Sequence, residues 1–174
     1  MLFRSAEPVL PFIRELEAKV AKLTKAVVTG DVTVREAVPE DFVSGKTDWS
    51  FSVTGGAWND IIDTTIDEGK FVAIYGVVCL DATQTAHLLK IKVGGADKRL
   101  IPLAVAYDGS DKGRAIYFGP DEAIIIQERS KLTISVYADS GASAVNLQIL
   151  AKVGEQMGKT IHKSYYGEAS TTVA

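Results

Sequence analysis

The chain has little of what surface chemistry usually needs. Its 174 residues contain a single cysteine, Cys79, and two histidines, His87 and His162. One cysteine rules out an intrachain disulfide, and its place inside FVAIYGVVCL reads as a buried, inert thiol rather than a nucleophile. Two histidines far apart in sequence provide no closely spaced pair with a carboxylate, the cluster a cupin-type metal barrel requires. His87 falls on the apolar parity of an alternating stretch and reads as a core histidine with a satisfied partner. There is no G-x-S-x-G elbow and no Cys–His pair with a local signature, so hydrolase chemistry has no carrier. No catalytic residue, cofactor-binding residue or metal ligand can be named, and a non-enzymatic role is expected.

Charge and hydropathy narrow the partners. Lys and Arg number 19 against 22 Asp and Glu, a net charge of −3, so no cationic surface invites nucleic acid. No apolar run approaches the ~20 residues needed to cross a bilayer, which leaves only indirect contact with a membrane. No cationic segment followed by an apolar run opens the chain, so no secretory signal is expected. A hydrophobic content of 47% and a charged content of 24% are ordinary for a globular protein, and the length suits one domain with a proper core.

A glycine-rich stretch, VGEQMGKTIH from Val153 to His162, resembles a phosphate-binding loop at first sight. Such a loop needs two glycines separated by four residues, so that successive N–H groups wrap the phosphates. Counting back from Gly158, the first glycine should stand at 153, where the chain has valine; the actual glycine, Gly154, comes one position late. The second candidate, Gly45-Lys46-Thr47, would need its partner at Glu40. The spacing excludes nucleotide binding at both.

The first segment present is a helix. From Phe12 to Ala26 the residues Ile13, Leu16, Val20, Leu23 and Val27 step as an a/d seam. Pro8 and Pro11 sit at or before its start, lysines crowd its end, and Gly30 is a stop signal. After a loop containing Pro39 and Gly45, the period changes to two. Trp49–Val53, His87–Val93, Leu132–Tyr137 and Val145–Val153 alternate cleanly; Phe71–Leu80, Leu100–Tyr107, Arg114–Phe118 and Ala123–Gln127 lie between them. About eight strands with short turns and no crossover helix predict an all-β antiparallel sandwich or jelly-roll barrel carrying an N-terminal amphipathic helix. The expected division is a helical arm over 1–30, the barrel over 31–153, and a polar tail over 154–174, read as an extended arm or a partly disordered segment.

Phe71–Leu80, Leu100–Tyr107 and Ile124–Ile126 are apolar on both parities. A sandwich buries only one face of each sheet, so such strands need a second cover. That cover is either the helix of the same chain or a neighbouring subunit; a helix of ~22 Å is short for three strands, which favours subunits. The expected oligomer interface therefore comprises Ile13, Leu16, Val20 and Leu23 on the helix with Val72, Ile74 and Val78 on the strand. Self-association as a homodimer or larger is the expectation. Whether the helix packs in cis or on a neighbour stays open at this point.

Carboxylates cluster at Asp60, Asp63, Asp67 and Glu68, and again at Asp108 and Asp111. Either group could hold Ca²⁺, or form an ordinary acidic turn. Trp49, Trp58, Tyr107, Tyr117 and Tyr137 could form a sugar-binding platform, or simply fill the core.

From Trp49 to Val153 the layout resembles a single jelly-roll viral capsid protein. GKFVAIYGVVCL, RAIYFGPDEAIIIQERSKLTISVYADSG and AVNLQILAKV carry the likeness, with a helical arm before and a polar tail after. The family is that of the small major capsid proteins of internal-membrane-containing icosahedral viruses infecting Thermus bacteria and halophilic archaea. The resemblance implies an upright barrel tiling a virion shell beside a larger capsid protein, and no catalytic residues carry over. A lectin-like carbohydrate-binding module and a phage decoration or tail-fibre protein use the same sandwich and are the alternatives.

Overall fold

The computed structural model describes residues 9–28, 30–107, 115–119 and 121–156. One helix, α1 (Val9–Lys25), precedes ten strands: β1 (Val32–Glu36), β2 (Ser50–Ser52), β3 (Trp58–Thr65), β4 (Phe71–Cys79), β5 (Ala86–Val93), β6 (Ala96–Pro102), β7 (Ala115–Tyr117), β8 (Ile124–Ile126), β9 (Lys131–Ala138) and β10 (Ala144–Gln156). They form two antiparallel sheets. In the first, β1 and β2 lie on one side of β10, and β4 on the other with β7 and β8 beyond it; the second runs β3-β9-β5-β6.

The pairing is nested: β5 with β6, β4 with β7 and β8, β3 with β9, and β1 and β2 with β10. One long hairpin has been rolled up so that successive layers fall alternately in the two sheets, which is the jelly-roll arrangement. Its tip is the two-residue turn Gly94-Gly95, where φ is +60 and +83°, the positive values that a tight hairpin turn demands and glycine supplies without strain. The expected all-β jelly roll with an N-terminal helix is the architecture found.

The core lies between the sheets. Val145, Leu147, Ile149, Ala151 and Val153 point into it from β10, and Leu132, Ile134 and Val136 from β9, as their alternation predicts. Differences arise where the alternation is broken. A bulge leaves Tyr75 of β4 without a partner between Ile74 and Gly76, so the inward set is Val72, Ile74, Val77 and Cys79 rather than one parity throughout. Leu100–Tyr107 is not a strand along its whole length: β6 ends at Pro102 and Leu103–Tyr107 is a 3-10 helix. Leu103 and Ala106 are buried there while Val105 is 65% exposed, because a near-threefold repeat spreads apolar residues over both parities. Two strands, β1 and β3, fall where the sequence reading has a loop and an acidic cluster. Strand β10 runs to Gln156, three residues past the expected end at Val153, so Gly154 belongs to the sheet and not to a turn or tail. The rest of the 154–174 tail, with His162, lies outside the described residues.

Helix α1 starts earlier than its prolines imply, and Pro11 is its third residue, within the first turn where a missing N–H breaks no helical hydrogen bond. It lies across the outer face of the first sheet. The crossing is close at Gly154, where an added Cβ would stand 2.6 Å from Val20 Cγ1 and would overlap Thr24 Oγ1. Only glycine lets the helix sit this low.

Two predictions follow from this packing. Ile134→Ala, at a fully buried site, should cost ~2–5 kcal/mol in urea unfolding through lost burial and a cavity; a loss under ~0.5 kcal/mol would mean β9 faces the other way. Gly154→Ala should cost ~1–3 kcal/mol by overpacking and should speed proteolysis within α1, whereas an unchanged cleavage rate would show the crossing to be looser than described.

Candidate functional site

The two sheets differ in what covers their outer faces. On the first, Phe71, Ala73 and Tyr75 of β4 are buried beneath Phe12, Leu16 and Val20 of α1, with Ile13, Leu23, Ile125 and Leu150 packed around them. The second cover that β4 and β8 need is therefore the helix of the same chain. This corrects the expected oligomer interface. Leu16 and Val20, 4% and 0% exposed, and the half-buried Ile13 and Leu23 contact their own sheet. Val72 and Ile74 lie inside the barrel, and only Val78 is a partly exposed outer-face residue. The buried stripe runs Phe12, Leu16, Val20, Thr24, an i,i+4 ridge rather than a heptad seam, and Val27 is exposed. One helix suffices because it has two doubly apolar strands to cover, not three.

Polar contacts lock this arm down. Lys152 of β10, 6% exposed, reaches Glu17 of α1 at 2.7 Å and also pairs with Glu36 of β1. Burial works against the ammonium, but the two carboxylates outweigh it and Lys152's pKa is raised. Tyr75 donates to Glu36 at 3.1 Å. Burial, then the Glu36 charge, pushes its phenol up. Arg35 is held by Asp41 at 2.7 Å and Glu155 at 2.8 Å. These groups are spent on one another and on fastening α1.

Among the described residues, no helix covers the outer face of β3-β9-β5-β6. Its register sets the outward-facing residues in rows across the strands. Trp58, Tyr137 and Leu88 form the first row, Asp60, Ser135 and Lys90 the second, and Asp63, Thr133 and Lys92 the third. Trp58 is 42% exposed and packs edge-on to Tyr137, with ring centroids 5.7 Å apart and planes at 71°. The Lys90 ammonium sits 4.5 Å above the Trp58 ring. Asp60 accepts a hydrogen bond from Ser135, and Asp63 accepts one from Thr133 and pairs with Lys131 at 3.1 Å. Leu100 of β6, 56% exposed, extends the second row beyond Lys90.

His87 is not in the core. A bulge between Ala86 and Leu88 turns it outward at the end of this face, where Nε2 lies 2.9 Å from Asp139 Oδ1. Asp139 is held below the usual carboxylate range by the Gly141 N–H and then by His87. Cys79 is buried and its thiol pushed up by that burial, the expected inert state. Among the described residues, no group of three or more His, Cys, Asp or Glu is placed to hold a metal ion. Asp60 and Asp63 stand on β3 rather than in a loop; Asp108 and Asp111 lie outside the described residues. Of the aromatics, Trp49 and Tyr107 pack on the core, Tyr117 stacks on Tyr75 on the helix-covered sheet, and Trp58 and Tyr137 share the bare face.

The bare face was hidden from the sequence by Ile61 and Ile62, both buried, which break the alternation of β3 at a bulge. Reading Trp58 and Asp60, passing over both isoleucines, then Asp63 and Thr65 would have revealed its outward residues.

No protein-family model matches the chain, and neither does any curated protein. Among solved structures it is similar to a chain of infectious bursal disease virus, Gx strain, at 13% identity and a TM-score of 0.29. The match covers 78% of this chain and 36% of that one, so this chain spans about a third of the other's length. A likeness at that level carries no inference here.

The cis packing of α1 generates a test. Replacing Leu16 and Val20 together with serine should lower the melting temperature by roughly 10 °C or more, given several kcal/mol of lost burial, and leave any self-association unchanged. Weakened association with an unchanged melting temperature would return these residues to an intersubunit role.

Proposed function

We propose that the chain is a non-enzymatic structural subunit of a virion, a small major capsid protein whose barrel packs sheet surface against neighbours in an icosahedral shell. The observation that supports it is the bare sheet. A jelly roll that covers one outer face with its own helix leaves the other patterned with an apolar row, Trp58, Tyr137 and Leu88, beside rows of paired charge. Apolar and polar surface side by side, in the proportions of ordinary protein surface, is the make-up of a non-obligate protein contact. On the helix-covered side Lys152, Tyr75 and Arg35 are engaged with Glu17, Glu36, Asp41 and Glu155. The partners of such a subunit are further copies of itself and a larger capsid protein; its location is the virion.

A carbohydrate-binding role is the second reading, favoured by Trp58 and Tyr137 on one exposed face beside His87 and Asp139. Two features count against it. The edge-to-face rings offer no continuous flat platform, and the Lys90 ammonium occupies one side of the Trp58 ring. A decoration or tail-fibre role differs only in its partners.

Sedimentation velocity and electron microscopy of the full chain at micromolar concentration test the proposal. Assemblies should form, with contacts exceeding the ~800 Å² usual for lattice packing and approaching the ~1,600 Å² of a standard interface. A monodisperse monomer that binds glycans on an array would replace the shell subunit with the sugar-binding module.

A further inference from the structure

The rows on the bare face have an internal symmetry. Strand β9 is central to each of the three rows described, contributing Tyr137, Ser135 and Thr133, with β3 on one side and β5 on the other. The flanking residues are complementary in kind. Trp58 is matched by Leu88, Asp60 by Lys90, and Asp63 by Lys92, each pair in the same row on opposite sides of β9. A two-fold axis running along β9 exchanges the positions of β3 and β5 between two copies laid face to face. Under that operation Trp58 meets Leu88 of a second copy, Asp60 meets Lys90, and Asp63 meets Lys92. The central residues meet themselves.

We propose that this face, β3-β9-β5, is a two-fold self-association surface whose occupant is a second copy of the chain, with the two β9 strands stacked along the axis. The inference rests on the reading of the chain as a self-assembling subunit and names the surface by which it associates. Charge decides the direction of the axis. A two-fold at right angles to the strands would set Asp60 against Asp60 and Lys90 against Lys90, and would press the apolar row onto Asp63 and Lys92. Like charges directly opposed are repulsive; within the three rows the parallel axis avoids every such pair, and Lys131, which it sets near its own copy one row further on, is already paired with Asp63.

The charges on this face also differ in how well the single chain satisfies them. Asp63 has Lys131, and Lys92 has Asp97 at 3.5 Å. Asp60 is bonded to the neutral Ser135 hydroxyl, and Lys90 to the Trp58 ring, with no opposite charge paired to either among the described residues. These two are the charges the symmetry brings together, twice per dimer. In a face-to-face packing ~10 Å apart, strand axes within about 30° of each other keep the central rows in register. Three strands by about eight residues give a footprint on the order of 400 Å² per copy. With Leu100 and the strand margins the total nears ~1,000 Å², the lower end of specific contacts, so micromolar rather than nanomolar association is expected.

Equilibrium sedimentation of the full chain with a charge-exchange series tests this. Asp60→Lys and Lys90→Glu should each weaken self-association about tenfold or more by opposing like charges, and the double variant should recover most of the loss. A thermal melt of each variant establishes folding. Tyr137→Glu, which sets two carboxylates together on the axis, replaces any charge variant that fails to fold and should likewise give monomers. Association that persists unchanged in folded single variants and in Tyr137→Glu overturns this surface while leaving the subunit reading in place. A wild-type chain that stays monomeric at several hundred micromolar overturns both.

Discussion

The close crossing of α1 over β10 at Gly154 is the constraint on which the rest of the molecule depends. Strand β4 is apolar on both faces, and one sandwich core can absorb only one of them. The helix supplies the other wall, but it can reach Phe71, Ala73 and Tyr75 only if β10 beside them offers no side chain in its path. One residue without a Cβ settles the height of the helix above the sheet. Lys152, two residues earlier on the same face of β10, then reaches both Glu17 on the helix and Glu36 on β1. A buried cation with two acidic partners is costly to separate from them. The arm is thus fixed by shape first and by charge second.

That arrangement makes the two outer faces unequal. The face under α1 is buried and its charges are spent on fastening; among the described residues the other has no such cover. Its exposed groups are arranged by register rather than by burial, and their partners are largely one strand away. A protein with one sealed face and one patterned face has a direction, and the patterned face is where a neighbour finds unsatisfied charge and accessible aromatic surface together.

How much of this was legible depends on where each strand keeps its period. Along β9, Leu132, Ile134 and Val136 alternate without interruption, and sequence alone assigns their faces. Along β4 and β5 it assigns them correctly only as far as a bulge. Past Tyr75 the inward set shifts by one, so Val77 enters the core and Val78 leaves it; at His87 the same device turns an expected core histidine to solvent. Strand β3 was obscured twice, by the adjacent Ile61 and Ile62 and by carboxylates that resemble a loop. The need for a second cover was legible, while its source was not. Counting Leu100–Tyr107 as a third doubly apolar strand made one helix seem too short, when that stretch is partly a 3-10 turn whose repeat imitates the pattern. The 17-residue helix, about 26 Å long, spans what it has to cover.

The edges of the bare sheet bear on how it could meet another copy. A sheet can extend by adding a strand at an edge or pack by laying its face on another. Edge addition needs a flat strand with free backbone groups in register. Here β3 is interrupted by its bulge at Ile61, and β6 carries Lys98 and Arg99, has its own register shift opposite Ile91 and Lys92, and ends at Pro102, which has no N–H to give. Charges, bulges and a terminal proline are the features by which proteins blunt such edges. Both edges of this sheet have such features. The same bulge at Ile61 that spoils β3 as an edge also brings Asp63 into file with Asp60 on the outer face, opposite Lys92 and Lys90 across β9. One local irregularity therefore spoils an edge for strand addition and completes the charge pattern on the face proposed to meet a second copy.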